Sequence, residues 1–443
     1  MKSYIFKIKY QAMLVWLATG LVLQGCEVDN IPDPNNPTVE SVLNNATVDD
    51  LNNLVVGTEA GMRNFLGTYY DNMGVIGREH YRFSSADPRF TADLLGKGSS
   101  VLDNNTFYTT NPWAGRYRVV KNTNILIASV FNTTLITEEQ RQGYLGFAKT
   151  IKAHQLLMNL TMMWEPGIRI DVDDPDNLGP FVERSAALDS IALLLEEGAG
   201  HLAAAGEEFP FSLSEGFAGF NDPAGFLQFN RALAARVAVY NEEFEDALGF
   251  LEDSFLELNT DFNKGVYYVF SASSGDVLNP VFVAPNSSGE IRIAHPSFIA
   301  DIAPNDDRRS KVLEREEAAS LDGLTGKYDV ALYKTNTDPI PIIRNEELIL
   351  IYAEANIQTG NTLEAVRALN IIRQGHGLGP YAGSVTQAAL IDEMLEQRRY
   401  SLYFEGHRWV DMRRYGRLNE LPLDRPGDDV WTTFPKPFIE EAF

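Results

Sequence analysis

Two stretches of the 443-residue chain concentrate side chains able to grip a polyhydroxylated ligand. The first holds Tyr69, Tyr70, Asp71, Asn72, Tyr81, Arg82, Phe83, Asp87, Arg89 and Phe90. The second holds Tyr267, Tyr268, Phe270, Phe282 and Asn286. Flat aromatic rings cover the apolar side of a sugar ring, and carboxylate, amide and guanidinium groups bind its hydroxyls. Tyr81, Arg82, Asp87, Arg89, Phe90, Tyr267 and Tyr268 are therefore the candidate ligand-binding residues. Each ring taken singly has a structural alternative, which is to pin its loop to the body of the protein.

Catalysis finds no comparable constellation. There is no GxSxG, HExxH or Walker glycine loop, and no cysteine nucleophile in the interior of the chain. The histidines, at 80, 154, 201, 295, 376 and 407, show no metal-ligand spacing, and His154 sits in an alanine- and leucine-rich segment that suits a core residue. Paired carboxylates cleave glycosidic bonds in many enzymes. With 61 Asp and Glu a suitable pair somewhere is inevitable, so a glycoside hydrolase stays open as a rival without a motif of its own. Asp171, Asp173, Asp174, Asp176 and Asn177 offer hard oxygens that could hold calcium. Pro175 interrupts them and the glycine and closing glutamate of an EF-hand are missing, so the stretch reads as a solvated loop. No catalytic residue, metal or cofactor is expected.

Cys26 is the one cysteine, and its position carries chemistry of another kind. Residues 1–25 carry Lys2, Lys7 and Lys9, no acid, and the apolar run Ala12 to Leu23, the layout of a secretory signal peptide. That run is too short to span a bilayer, which takes about 20 residues. Leu23-Gln24-Gly25-Cys26 resembles the bacterial lipobox, which implies cleavage before Cys26 and a diacylglycerol on its sulfur. The Pro- and Asn-rich text that follows reads as a polar tether over residues 26–45.

Composition narrows the partners. The formal charge is −24, and loss of the leader removes three lysines and no acid, leaving −27. Nucleic acid is excluded as a partner, because binding it needs clustered cations. Adsorption on anionic lipid is disfavoured for the same reason, so membrane affinity falls to the acyl chain. With 44% hydrophobic and 11% aromatic residues, the remainder can bury a large core without disulfides.

The elements that must position these groups are mostly helices. Apolar spacing and capping residues predict helices over Thr47–Phe65, Trp113–Phe131, Thr137–Trp164 (capped by Thr137 with Gln140) and Ala187–Ala205, and a helical pair within Phe226–Asn259. Helix again dominates Arg344–Arg417. Leu66 to Pro112 is irregular and rich in turn formers, which predicts long loops, and Val266–Ile293 reads as short strands or extended loops. Ala235 and Ala353, then Ala247 and Ala365 twelve residues on, then Leu251 and Leu369 repeat the spacing of a tetratricopeptide-like hairpin. Ordinary antiparallel hairpins also reach this pattern. The second copy carries a candidate capping box, Asn361 with Glu364, behind Gly360.

The C-terminal text is the most specific. Arg344 with Glu347 and Leu348, Tyr352-Ala353-Glu354-Ala355, Ala365, Leu369-Asn370 with Arg373, Glu396 to Arg399, and Phe404-Glu405-Gly406-His407-Arg408-Trp409 with Asp411 and Arg414 follow one another in order. This closely resembles the hallmark of the SusD/RagB family of outer-membrane nutrient-uptake lipoproteins. Trp113, Tyr117, Val120 and Asn124, Ala148 and Ala153, Asp306-Asp307-Arg308, and Phe434-Pro435-Lys436-Pro437 resemble further parts of the family pattern. The chain is short for the family, and GIRIDVDDPDNLGP replaces its usual glycine-containing turn. Physical chemistry gives the hallmark charges a structural task. Glu396, Arg398, Arg399, Glu405, Arg408, Asp411, Arg413 and Arg414 alternate in sign along a helix and its exit, where they can join helices as ion pairs, with Gly406 allowing the bend.

The expected molecule is mainly α, with tetratricopeptide-like helical hairpins forming one compact body over residues 46–443, long irregular loops and a few short strands. The resemblance implies a lipid-anchored, surface-exposed protein of the outer membrane. It implies capture of an oligosaccharide or other nutrient by inserted loops and delivery to a TonB-dependent transporter of the SusC type. It carries no individual binding residue across. A helical-repeat scaffold that binds proteins alone is the second rival.

Overall fold

Thr47 closes the N-terminus of α1 (Val48–Gly61) with a reciprocal cap. Its hydroxyl accepts from the Asp50 N–H, and the Asp50 carboxylate accepts from the Thr47 N–H. The computed structural model describes residues 42–442, of which those from Leu43 onward form one compact unit. The leader, Cys26 and the tether up to residue 41 lie outside the described residues.

Phe65, in the left-handed region at φ 53°, turns the chain from α1 into α2 (Leu66–Ile76). Here the expectation of loop fails. Every residue of α2 except Thr68 is buried, so no polar face alternates with an apolar one to reveal the helix in the sequence. Tyr69, Tyr70, Asp71 and Asn72 belong to this buried helix. β1 (His80–Phe83) and the single turn α3 (Arg89–Ala92) lead to α4 (Phe107–Asn132), which starts six residues before the expected Trp113 and contains Pro112. Proline has no N–H to give the Tyr108 carbonyl, and the buried Asn72 amide donates to that oxygen instead at 2.6 Å. α5 (Glu138–Met163) carries the expected Thr137–Gln140 capping box.

β2 (Ile168–Arg169) and β3 (Phe181–Val182) pair across the acidic loop. α6 (Arg184–Ala203), α7 (Pro223–Tyr240) and α8 (Phe244–Glu252) follow. Next come β4 (Gly265–Tyr268), β5 (Ile291–Ala294), α9 (Pro296–Asp301), β6 (Val312–Leu321), β7 (Leu324–Val330) and β8 (Ile340–Arg344). The chain then returns to helix in α10 (Asn345–Gln358), α11 (Thr362–Gly375), α12 (Gln387–Ser401) and α13 (Arg408–Arg414).

Consecutive helices from α4 to α8, then α10 and α11, pack each on the next, and α8 meets α10. The repeated small residues sit where these hairpins close. Ala235, Ala247, Ala353, Ala365 and Leu369 are fully buried and Leu251 almost so. Gly360 takes the positive φ (79°) of the hairpin turn. The expected capping box behind it does not form. The Asn361 amide donates to Thr359 Oγ1, and the Glu364 carboxylate accepts from Tyr352 and Arg367 instead.

A four-stranded antiparallel sheet in the order β1-β5-β7-β6 and a two-stranded ribbon β4-β8 stand beside the helices. The β6–β7 hairpin turns through Asp322 and Gly323, both at positive φ (53° and 81°), as a two-residue type I′ loop requires. Charge closes the C-terminal helices together. Arg398 binds Asp411 at 2.7 Å, Arg414 binds Glu354 at 2.7 Å and Asp411 at 3.0 Å, and Arg344 reaches Glu405 at 2.8 Å. Burial pushes the Asp411 carboxyl up, yet Arg398 and Arg414 outweigh it and hold the group at about 2. Arg413 departs from the pattern: it lies over Trp409 and Trp164, 3.7 and 4.4 Å from their ring centres. Phe404 and Gly406, at φ 63° and 83°, make the bend between α12 and α13.

Candidate ligand groove

Strand geometry decides which of the expected binding residues can meet a ligand. Successive side chains of a strand point to opposite faces, so in β4 Val266 and Tyr268 turn inward while Tyr267 is half-exposed. Tyr268 is a core residue, its hydroxyl 2.8 Å from His154 Nε2. His154 is itself in the core, and burial pushes its imidazole well below the usual range.

The earlier cluster is closed by packing on both faces of β1. Tyr81 is 2% exposed, stacked on Phe83 at 5.6 Å and edge-on to His295 at 5.2 Å. Phe90 is buried, with Arg82 over its ring at 5.3 Å and Phe107 edge-on at 5.3 Å. Tyr81, Phe90 and Tyr268 are therefore buried, where the sequence reading expected rings presented to a ligand. Arg82 binds Glu290 at 2.7 Å, and Arg89 binds Asp87 at 2.7 Å, so these charged members form an ion-paired ledge. Tyr69 and Tyr70 of the first stretch and Tyr268 of the second line one small cavity, while β1 pairs with β5 in one sheet and β4 with β8 in another.

Tyr267 stands instead on a groove made of three adjoining depressions. The first, about 490 Å³, lies between the end of α1, α4 and the loop after β4, and is lined by Arg63, Asn64, Phe65, Arg118, Asn122 and Leu278 among others. The second, about 330 Å³, shares Ala60, Arg63 and Asp276 with the first and adds Glu59, Ser212, Ser214 and Tyr267. The third, about 350 Å³, shares Tyr267 with the second and reaches Phe262, Tyr333, Lys311, Arg344 and His376. The Arg63–Asp276 ion pair (2.6 Å) marks one boundary and the Tyr267 ring the other.

Chemically the groove offers rings and hydrogen-bonding groups in sequence. Phe65, 41% exposed, is held at the rim by its left-handed backbone, and Asn64 and Asn122 bring amides to the same depression. In the third depression most charge is already engaged. Lys311 donates to the Tyr400 and Ser401 carbonyls at 2.7 and 2.6 Å, and burial pushes its ammonium down to about 8. Glu346 accepts from Arg344 and lies 2.7 Å from His376 Nε2. Among the described residues the buried Tyr333 hydroxyl has no hydrogen-bond partner.

A smaller polar cavity behind Tyr69, Tyr70, His154 and Tyr240, about 40 Å³, has room for little more than water. Among the described residues, no three His, Cys, Asp or Glu converge as a metal site would require. In the acidic loop Asp173 is taken by Lys152 at 2.7 Å, and Asp174 accepts from the Asp176 N–H. Phe65, Arg118 and Asn122 were not legible as site residues, because a single exposed Phe and a solvent-facing Arg on a helix are ordinary surface features.

Residues 327–436 match the SusD family model. Over that segment the chain is similar to the SusD/RagB family. The family segment runs from β7 past α13 and contains the ion-paired helices, whereas Phe65, Arg118 and Tyr267 lie outside it. No curated protein sequence shows significant similarity to the chain.

Solved SusD-like structures share the fold over most of this chain. Surface glycan-binding protein A from Bacteroides thetaiotaomicron, in complex with laminarihexaose, has a TM-score of 0.71 at 15% identity, over 90% of this chain and 98% of that one. A SusD superfamily protein from Bacteroides vulgatus has a TM-score of 0.69 at 15% identity, over 89% and 97%. A putative sugar-binding protein from the same organism has a TM-score of 0.62 at 20% identity, over 84% and 87%. Identities this low make the likeness one of fold.

Proposed function

We propose that this chain is a non-enzymatic binding protein that captures an oligosaccharide or other nutrient at the cell surface and hands it to a TonB-dependent transporter of the SusC type. The observation that carries the reading is a groove of linked depressions, with Phe65 and Tyr267 as ring platforms, on a fold shared with a glycan-binding protein that holds laminarihexaose. In the third depression Glu346 and Glu405 are both tied to Arg344, and Asp338 accepts from the Lys334 and Thr335 N–H groups. That arrangement favours binding over a free acid and base poised for hydrolysis.

Attachment to the outer membrane is assigned to a lipid on Cys26. Among the described residues no helix is long and apolar enough to cross a membrane.

Calorimetric titration of the purified chain with a panel of oligosaccharides, with product analysis of each mixture, tests the reading. Saturable binding without cleavage is expected. Turnover that disappears on changing one carboxylate would favour a hydrolase. Failure of every glycan while a protein partner co-purifies would favour the protein-binding scaffold.

A further inference from the structure

Resting on the reading of the groove as the binding site, we infer that its ligand is an acidic saccharide whose carboxylate-bearing sugar unit lies at the Arg118 end. The groove is not uniform in charge. The third depression sets Lys311 and Arg344 against Asp338, Glu346 and Glu405, and the second sets Arg63 against Glu59 and Asp276. Both have an excess of carboxylate. In the first depression, Arg63 and Arg118 face the single carboxylate of Asp276, so the sign reverses there.

Arg118 is also chemically free. It is exposed on α4, as is Lys121 one turn further on, and among the described residues no ion pair or hydrogen bond engages either side chain. That is unusual in a molecule of net charge −24, where even well-exposed cations such as Lys327 and Arg367 find a carboxylate. A free guanidinium presents a planar fork that matches a carboxylate with two parallel hydrogen bonds. The Phe65 ring supplies a face for the same sugar unit, and the Asn64 and Asn122 amides supply partners for its hydroxyls. A neutral glycan would use the ring and the amides and leave the Arg118 guanidinium idle. An acidic one uses all of them.

The test is titration of the full chain with oligogalacturonate and with a neutral glucan oligosaccharide of equal length, at low and at high sodium chloride. The acidic oligomer is expected to bind roughly five- to tenfold more tightly at low salt, an advantage that shrinks as salt screens the pair. The double variant Arg118→Gln with Lys121→Gln, at exposed positions that leave the core intact, should erase the advantage. Equal binding of the two oligomers, or an advantage that survives the double variant, would overturn the inference while leaving the groove in place. If no oligosaccharide of either kind binds, or an acidic peptide binds in their stead, the groove reading itself fails and the inference with it.

Discussion

Tyr267 holds the position on which two depressions meet, and its ring is the one aromatic face among the expected binding residues that solvent can reach. Tyr267→Ala should weaken glycan binding by roughly tenfold, the scale of one lost ring contact. The thermal midpoint should move little, because the ring is half-exposed. Tyr268→Phe, which removes the hydroxyl beside His154, should behave oppositely, lowering stability and sparing affinity. Differential scanning calorimetry run beside the titrations separates the two. Glu79 offers a second residue-scale test. Burial raises its carboxyl to about 8, against the pull of the Phe404 N–H that it accepts. The folded state thus binds this proton more tightly than the unfolded chain. The stability it contributes is present below the ordinary carboxylate range and is lost as pH rises through about 8. Glu79→Gln should therefore stabilise the protein at pH 9 by at least about 1 kcal/mol and have little effect near pH 4, as denaturant midpoints at the two pH values would show.

At the scale of elements, the helices that announce themselves are those with a cap and a periodic face. Thr47 and Thr137 both form the caps their sequences promise, and Thr137→Ala should cost about 1 kcal/mol in chemical denaturation. α2 gave no such signal, since a helix buried on all sides presents no alternation, and its tyrosines imitate a ligand loop. The β6–β7 hairpin was signalled by Asp322-Gly323 between strand-like runs, but the acidic text of β6 hid it. Site residues were harder to read than elements. Tyr267 and Tyr268 are identical in type and adjacent in sequence, and only the register of β4 against β8 decides that one faces the groove and the other the core. Arg398, Glu405, Asp411 and Arg414 were readable as helix-joining charges, because their alternation in sign is a local property. Asp411 and Glu347 are both held at about 2 by arginines against the pull of burial. The stability they contribute is present above the ordinary carboxylate range and is lost as pH falls toward 2. Denaturant midpoints measured from pH 6 to pH 2 should decline in that window.

For the molecule as a whole, the account divides the labour between a helical body and a groove beside it. The body carries the SusD family segment and its buried ion pairs; the groove draws on α1, α4 and the chain around β4, outside that segment, and its third depression reaches into the segment through Tyr333, Arg344 and His376. Phe65, Arg118 and Tyr267 lie outside the segment, so the resemblance in the C-terminal text did not point to them. Where the protein works is a prediction of the same scale: Cys26→Ser should release the chain from the membrane fraction without altering its fold or its ligand affinity, and a variant that stays membrane-bound would remove the lipid anchor from the account. The most direct test of the central claim is a crystal structure of the chain with a bound oligosaccharide. Sugar rings are expected over Phe65 and Tyr267, spanning the Arg63–Asp276 pair. Sugar lying instead on the Arg82–Arg89 ledge, with the groove bare, would contradict that claim.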